Sequence, residues 1–110
     1  MWLMTRYGFF SVVLKPNGEF QVRARAKRHL EALKARFKWK YKVAATPAGD
    51  YGWRLVVPQA EFAAVCLALV AEITWDNFKT ECGKTANDPA YVHALHDVWS
   101  TMFELQHAPA

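Results

Sequence analysis

Val22–Lys42 reads VRARAKRHLEALKARFKWKYK. Val22, Ala24 and Ala26 alternate with Arg23 and Arg25, the period of two of a half-buried strand. From Lys27 the period changes. Leu30, Leu33 and Phe37 fall at i, i+3 and i+7, one face of a helix, with Lys27, Arg28, Lys34 and Arg36 around the rest. Past Trp39 alternation returns, with Tyr41, Val43 and Ala45 against Lys40 and Lys42. Strand, helix and strand inside one short stretch place the chain among folds that mix both kinds of element.

Upstream, Met1–Lys15 reads as one opening strand whose Tyr7–Leu14 run is apolar on both faces, as a covered central strand would be. Lys15-Pro-Asn-Gly-Glu19 is a hairpin turn, because proline presets φ and Asn-Gly tolerates left-handed backbone. It leads into the strand from Phe20. Downstream, Pro47-Ala-Gly-Asp50 is a second turn and Tyr51–Val57 a fourth strand, with Tyr51, Trp53, Leu55 and Val57 one way and Arg54 and Val56 the other. Pro58 suits the first position of a helix over 59–74. That helix is apolar almost all round, so Leu67, off its densest stripe, needs cover from another helix or a second subunit. A short helix follows, with Asp76 as cap and Gly83 as stop. Asp88-Pro89 then opens a last helix with Val92, Leu95, Val98, Trp99, Met102, Phe103 and Leu105 on its buried side.

The expected architecture is one α+β domain over residues 1–110. It is a two-layer sandwich of a four-stranded antiparallel sheet (hairpin–helix–hairpin–helix, in the ferredoxin-like neighbourhood) with an extra C-terminal helix. With 110 residues and 53% hydrophobic composition, the chain can bury a core without staples and is not of disordered type. Two cysteines, Cys66 and Cys82, are too few for a disulfide scaffold, which favours a reducing, cytoplasmic setting. The opening MWLMTRYGFF does not read as a secretory signal, and no apolar run is long enough to span a bilayer.

Trp2-Leu-Met-Thr-Arg-Tyr-Gly-Phe-Phe-Ser11, Asp50-Tyr51 with Arg54, Asp76-Asn-Phe-Lys79, and His96 with Trp99 together resemble a family of small uncharacterised prokaryotic proteins. The resemblance covers most of the chain. It implies no activity.

Charge is distributed unevenly. Residues 1–42 carry a net +9 and residues 43–110 a net −5. A basic half favours a polyanion partner; it also fits a solvated face, or a surface that pairs with its own acidic half. On the nucleic-acid reading, Arg23, Arg25, Lys40, Lys42 and Arg54 form one positive platform on the sheet side away from the helices, bordered by Trp39 and Tyr7. Lys27, Arg28, Lys34 and Arg36 widen it. Cations fix phosphates and aromatic planes stack on unpaired bases, the pairing that RNA and single-strand binders use. No ribonucleoprotein-type aromatic motif and no Gly-x-x-Gly clamp accompanies it.

Other chemistry is thinner. His93 and His96 share a helix face beside Asp97, but a third ligand at fixed spacing is missing, so no metal or cofactor is assigned. His29, on a basic helix, reads as a surface residue. Asp76, Lys79, His96, Asp97 and Tyr7 with Arg6 are acid–base candidates. No nucleophile elbow, phosphate loop or His-Glu-x-x-His accompanies them, and the reading leans away from an enzyme, with no catalytic residue assigned. Trp2, Trp39 and Trp75 fall at element ends, where exposed tryptophans favour interfaces. The sequence therefore leads to a small binding module that engages RNA or DNA through its basic surface. The alternative is a protein-interaction or homodimerising module. A membrane partner is not expected.

Overall fold

The computed structural model describes residues 1–109 and divides into two compact units, Met1–Thr74 and Trp75–Ala110. The first contains β1 (Trp2–Thr5), β2 (Gly8–Leu14), β3 (Phe20–Ala24), α1 (Lys27–Phe37), β4 (Ala44–Ala45), β5 (Trp53–Val57) and α2 (Gln59–Ala71). Its strands form one open antiparallel sheet of order β1-β2-β3-β5-β4. The fold is α+β as expected, but the sheet has five strands, not four. The element order βββαββα also differs from the βαββαβ of ferredoxin-like folds.

The fifth strand comes from the opening run, which is a hairpin and not one strand. Thr5 makes the turn: its hydroxyl accepts the amides of Tyr7 and Gly8 at 3.1 and 3.2 Å and donates to the Gly8 carbonyl at 3.0 Å. Gly8 then starts β2 at φ +148, and a Cβ there would lie 2.3 Å from Cγ of His29. Only glycine lets α1 come this close. His29 is accordingly buried, not at the surface, and its Nδ1 accepts the Phe9 amide at 3.3 Å. The Lys15–Glu19 turn forms as read, with Gly18 at φ +86 and the Asn17 side chain accepting the Glu19 amide.

Alternation assigns the two sheet faces. Phe10 and Val12, Val22 and Ala24, and Leu55 and Val57 point one way and are buried. Leu30 and Leu33 of α1 and Phe62 and Val65 of α2 join them in one core. Both helices of this unit therefore cover the same face. α1 ends at Lys38, a left-handed cap (φ 56) whose amide reaches the Lys34 carbonyl. α2 begins after Pro58, which is its N-cap and not its first residue, and stops at Ala71, short of Thr74.

Trp39–Val43 alternates as a strand would, yet only Ala44–Ala45 pairs in the sheet. Trp39 instead packs beside Phe62, and the Tyr41 hydroxyl donates to Glu61 of α2. This contact with Glu61 raises the Tyr41 pKa above its ordinary value. The apolar members of the segment are drawn to the helix layer, which peels the backbone off the sheet edge.

The second unit is a helical hairpin, α3 (Phe78–Thr85) and α4 (Pro89–Gln106). Asn77, not Asp76, caps α3, accepting the Thr80 amide at 3.0 Å, and the helix runs through Gly83. Asp88 caps α4 as read, accepting the Tyr91 amide at 3.2 Å. Cys82, Tyr91 and Leu95 are buried, whereas Trp99, Met102, Phe103 and Leu105 are exposed, contrary to the expected buried side. Among the described residues no helix is long and apolar enough to cross a membrane.

Candidate nucleic-acid interface

The sheet face opposite the helices carries the residues of the other parity. The ladders put Trp2 opposite Ser11, Ser11 opposite Arg23, and Arg23 opposite Arg54. These four side chains thus make one row across the sheet. Phe9 lies on the same face beside Trp2, with ring centroids 5.8 Å apart and planes at 87°. Tyr51 extends the aromatic patch, 6.5 Å from Phe9. Trp53 and Leu55 alternate inward as read, but Tyr51 does not share their side. It sits in the bend before β5, and its ring meets Phe9, Arg23 and Arg25 on the outer face.

Three arginines stand on this surface, and each is held by neutral groups. Arg23 Nη2 donates to Ser11 Oγ at 2.8 Å, and its guanidinium carbon lies 4.6 Å from the Tyr51 ring centre. Arg25 Nη1 donates to the Asp50 carbonyl at 2.7 Å, with its guanidinium 4.3 Å from the same ring. Arg54 Nε donates to Thr46 Oγ1 at 3.2 Å, and that hydroxyl in turn donates to the Tyr51 carbonyl at 2.7 Å. Stacking and hydrogen bonds orient the three groups. Among the described residues none of the three has a carboxylate within ion-pair distance. The Nε of Arg23 is buried with no hydrogen-bond partner, an arrangement that costs on the order of 1–3 kcal/mol. Arg23 and Arg54, directly opposite across the ladder, repel.

The other cations are placed differently. Arg36 and Arg6 converge on Glu72 just past α2, with Arg6 Nη2 3.2 Å from Oε2. The Tyr7 hydroxyl donates to the same carboxylate at 2.9 and 3.0 Å. Burial alone would raise the Glu72 pKa, but Tyr7 and the two guanidiniums hold it below its ordinary value. Glu72 raises the Arg36 pKa in return. Tyr7 is thus committed to the helix side, and Trp39 is buried in the core, so neither borders the arginine row. Lys27 lies over Trp53, 5.4 Å from the ring centre, and Lys27, Arg28, Lys34 and Arg36 all belong to the helix layer. Lys40 and Lys42 are exposed but precede the sheet pairing of β4. Of the expected platform, the ladder and the Tyr51 stacking bring together Arg23, Arg25 and Arg54.

Sequence reading missed Phe9, Ser11 and Tyr51 as members of this face, where Ser11 and Tyr51 are buried against the arginines. The signal for the first two was present. A two-stranded register counted back from the Asn17-Gly18 turn puts Ser11 opposite Arg23, and parity then carries Phe9 to the same face.

In the second unit Lys79 lies over Trp99 at 4.6 Å and His96 stacks on the same ring at 6.4 Å. Both thus meet at an aromatic residue, and Asp76 is exposed. His93 and His96 line a shallow depression with Asn87, Asp88 and Val92, and His93 stands 3.6 Å from Asp97. Among the described residues no three of His, Cys, Asp and Glu form a metal-binding group. No protein-family model, curated protein or solved structure matches the chain.

Proposed function

We propose that the first unit binds single-stranded nucleic acid across the sheet face that its helices leave open. One observation carries the reading: Arg23, Arg25 and Arg54 are positioned by neutral acceptors and an aromatic ring, and no carboxylate neutralises them. A surface serving only solubility has no need of oriented guanidiniums, nor of two arginines at directly opposite positions on adjacent strands. The phosphate backbone supplies the missing charge. Trp2, 69% exposed, and Phe9 beside it offer planes on which bases stack. The footprint centres on this face, with the exposed Lys40 and Lys42 as flanking charge.

Fluorescence anisotropy with labelled single- and double-stranded RNA and DNA across a salt series tests this. Binding should favour single strands. Three phosphate contacts give a log–log salt slope of about −2. The double change Arg23→Glu, Arg25→Glu should abolish binding with little change in melting temperature, since the first of the two new carboxylates would face Arg54 across the ladder. No binding at low salt would refute the reading.

A second reading rests on different residues. Leu67, Val70 and Ile73 of α2 and the turn after it, and Trp99, Met102, Phe103 and Leu105 of α4, are all exposed. Apolar groups of this size at a surface favour a protein-interaction or homodimerising module. Size exclusion with light scattering tests the dimer: a monomer up to high concentration removes it.

A further inference from the structure

The sheet has two outer strands, and they are built differently. β4, at one end of the strand order, is two residues long, is preceded by Lys40 and Lys42 and is followed by Pro47. Short length, lysine and proline are means by which natural sheets keep a further strand from joining. β1, at the other end, has no lysine or proline. Trp2-Leu-Met-Thr5 is uncharged and pairs with β2 residue for residue, without a bulge. Arg6, the next residue, is turned to Glu72. We infer that β1 is an interaction edge whose partner is β1 of a second copy of this chain, joined antiparallel about a two-fold axis between the two Leu3 residues. The inference goes beyond both readings of the function: it needs no nucleic acid, and it uses neither α2 nor α4.

The ladder shows what the edge offers. The Met1 amine donates to the Val12 carbonyl and the Val12 amide to the Met1 carbonyl, both at 2.8 Å. In an antiparallel pair, such doubly bonded positions alternate with positions whose backbone groups point away. Met1, Leu3 and Thr5 therefore bond to β2. Trp2 and Met4 turn their N–H and C=O groups outward, where among the described residues no strand lies.

That alternation sets the register of a self-pair. Positions with outward groups must face each other. Trp2 opposite Trp2 leaves both Met4 residues unpaired, and Met4 opposite Met4 puts Trp2 against Arg6, outside the strand. Trp2 opposite Met4 of the second copy satisfies every outward group of both strands, with four hydrogen bonds. Leu3 then faces Leu3 at the axis.

The side chains fit the same register. Trp2 and Met4 are both exposed and lie on the open face, so each indole meets a thioether across the join, a favourable sulfur–aromatic contact. Leu3, on the helix face, meets its own copy. No charge opposes a like charge, because the strand has none. A strand from a different protein would match the backbone groups alone, whereas a second copy matches the side chains as well. Four bonds and a few apolar contacts make a small interface, of the weak and reversible class. The two-fold axis stands perpendicular to the sheet, so the open faces of both copies lie on one side.

Sedimentation equilibrium up to about 0.5 mM, above the dissociation range of weak specific pairs, should show a monomer–dimer equilibrium. Met4→Pro should weaken it at least about tenfold. Proline there removes an outward N–H and no bond to β2, and it is tolerated on an edge strand; a melting curve confirms the fold. Leu67→Lys, on the exposed side of α2, should leave the dimer intact. The register is read by mild oxidation. Leu3→Cys should cross-link to itself above the wild-type background of Cys66 and Cys82, since facing Cα atoms at such a position lie about 4.5 Å apart, within disulfide reach. Trp2→Cys should not, because it faces Met4. A monomer throughout overturns the inference. So does a dimer lost in Leu67→Lys and kept in Met4→Pro, which would move the interface to the helix layer. Cross-linking through Trp2→Cys in place of Leu3→Cys overturns the two-fold axis at Leu3.

Discussion

The two faces of one sheet treat arginine in opposite ways. On the helix side, Arg6 and Arg36 meet Glu72, a carboxylate only 11% exposed that also accepts the Tyr7 hydroxyl. The charges are closed within the fold, and the cluster ties α1 and the β1–β2 turn to the end of α2. On the other side, Arg23, Arg25 and Arg54 are oriented equally well by Ser11, Asp50, Thr46 and Tyr51, and no acid completes them. A satisfied cluster is a structural device. On the proposed reading, an oriented cluster without a counter-charge is poised for a ligand, because the cost of organising the groups has been met before anything binds.

The largest effect expected from breaking this contrast lies where the helix side is tightest. Gly8→Ala places a methyl 2.3 Å from the His29 ring at a backbone angle that L side chains rarely adopt. Strain and overpacking together should cost about 3 kcal/mol or more, seen as a drop in melting temperature of over about 10 °C. A drop of a degree or two would mean that α1 is not held against the β1–β2 hairpin as described.

Next in size is Glu72. Glu72→Ala removes an acceptor shared by Tyr7 and two guanidiniums and should cost on the order of 2–3 kcal/mol in chemical denaturation, with no loss of nucleic-acid affinity. The sign of its pH dependence follows from the depressed pKa. A carboxyl whose folded pKa lies below its unfolded value adds stability that is complete above the ordinary glutamate range. That stability is lost as pH falls through the folded value. Wild-type protein should therefore lose stability on acidification more steeply than Glu72→Gln, measured by denaturant midpoints from neutral pH downward. Equal slopes would show that Tyr7 and the arginines do not favour the ionised form.

What the sequence discloses of this contrast is uneven, for physical reasons. α1, the Asn17-Gly18 turn and the Asp88 cap are written locally, in periods and in turn chemistry, and all three stand where the sequence puts them. The β1–β2 turn is hidden because Thr5-Arg-Tyr-Gly8 lacks a primed-turn dipeptide. Its only mark is the glycine, whose necessity comes from His29, far along the chain. Trp39–Val43 carries a strand's alternation but follows α2, since periodicity records which residues are apolar and not which layer receives them. Parity puts Tyr51 on the same side as Trp53 and Leu55, although parity holds only inside a strand; the residue sits two before β5 begins and is buried against the outer face instead. The same blindness to distance conceals Glu72, 65 residues from Tyr7. Basic charge in residues 22–42 is legible as composition. Its division into a closed set on the helix side and an open set on the sheet needs the register.

The smallest expected effect bears most directly on the open set. Arg23 and Arg54 repel across the ladder, and a like-charged cross-strand pair costs about 0.2–1 kcal/mol. Arg54→Gln relieves that repulsion and gives up the bond from Nε to Thr46 Oγ1. In chloride buffer its denaturation midpoint should thus match the wild type or exceed it slightly. Replacing chloride by inorganic phosphate at equal ionic strength should raise the midpoint of the wild type more than that of the variant, because screening is the same in both buffers and only phosphate held by the arginines distinguishes them. The Glu72 cluster supplies the internal control. Its charges are already paired, so Glu72→Gln should respond to phosphate as the wild type does. An equal response of wild type and Arg54→Gln would mean that the arginine row is neutralised without a ligand, and the difference between the two faces of the sheet would be one of packing alone.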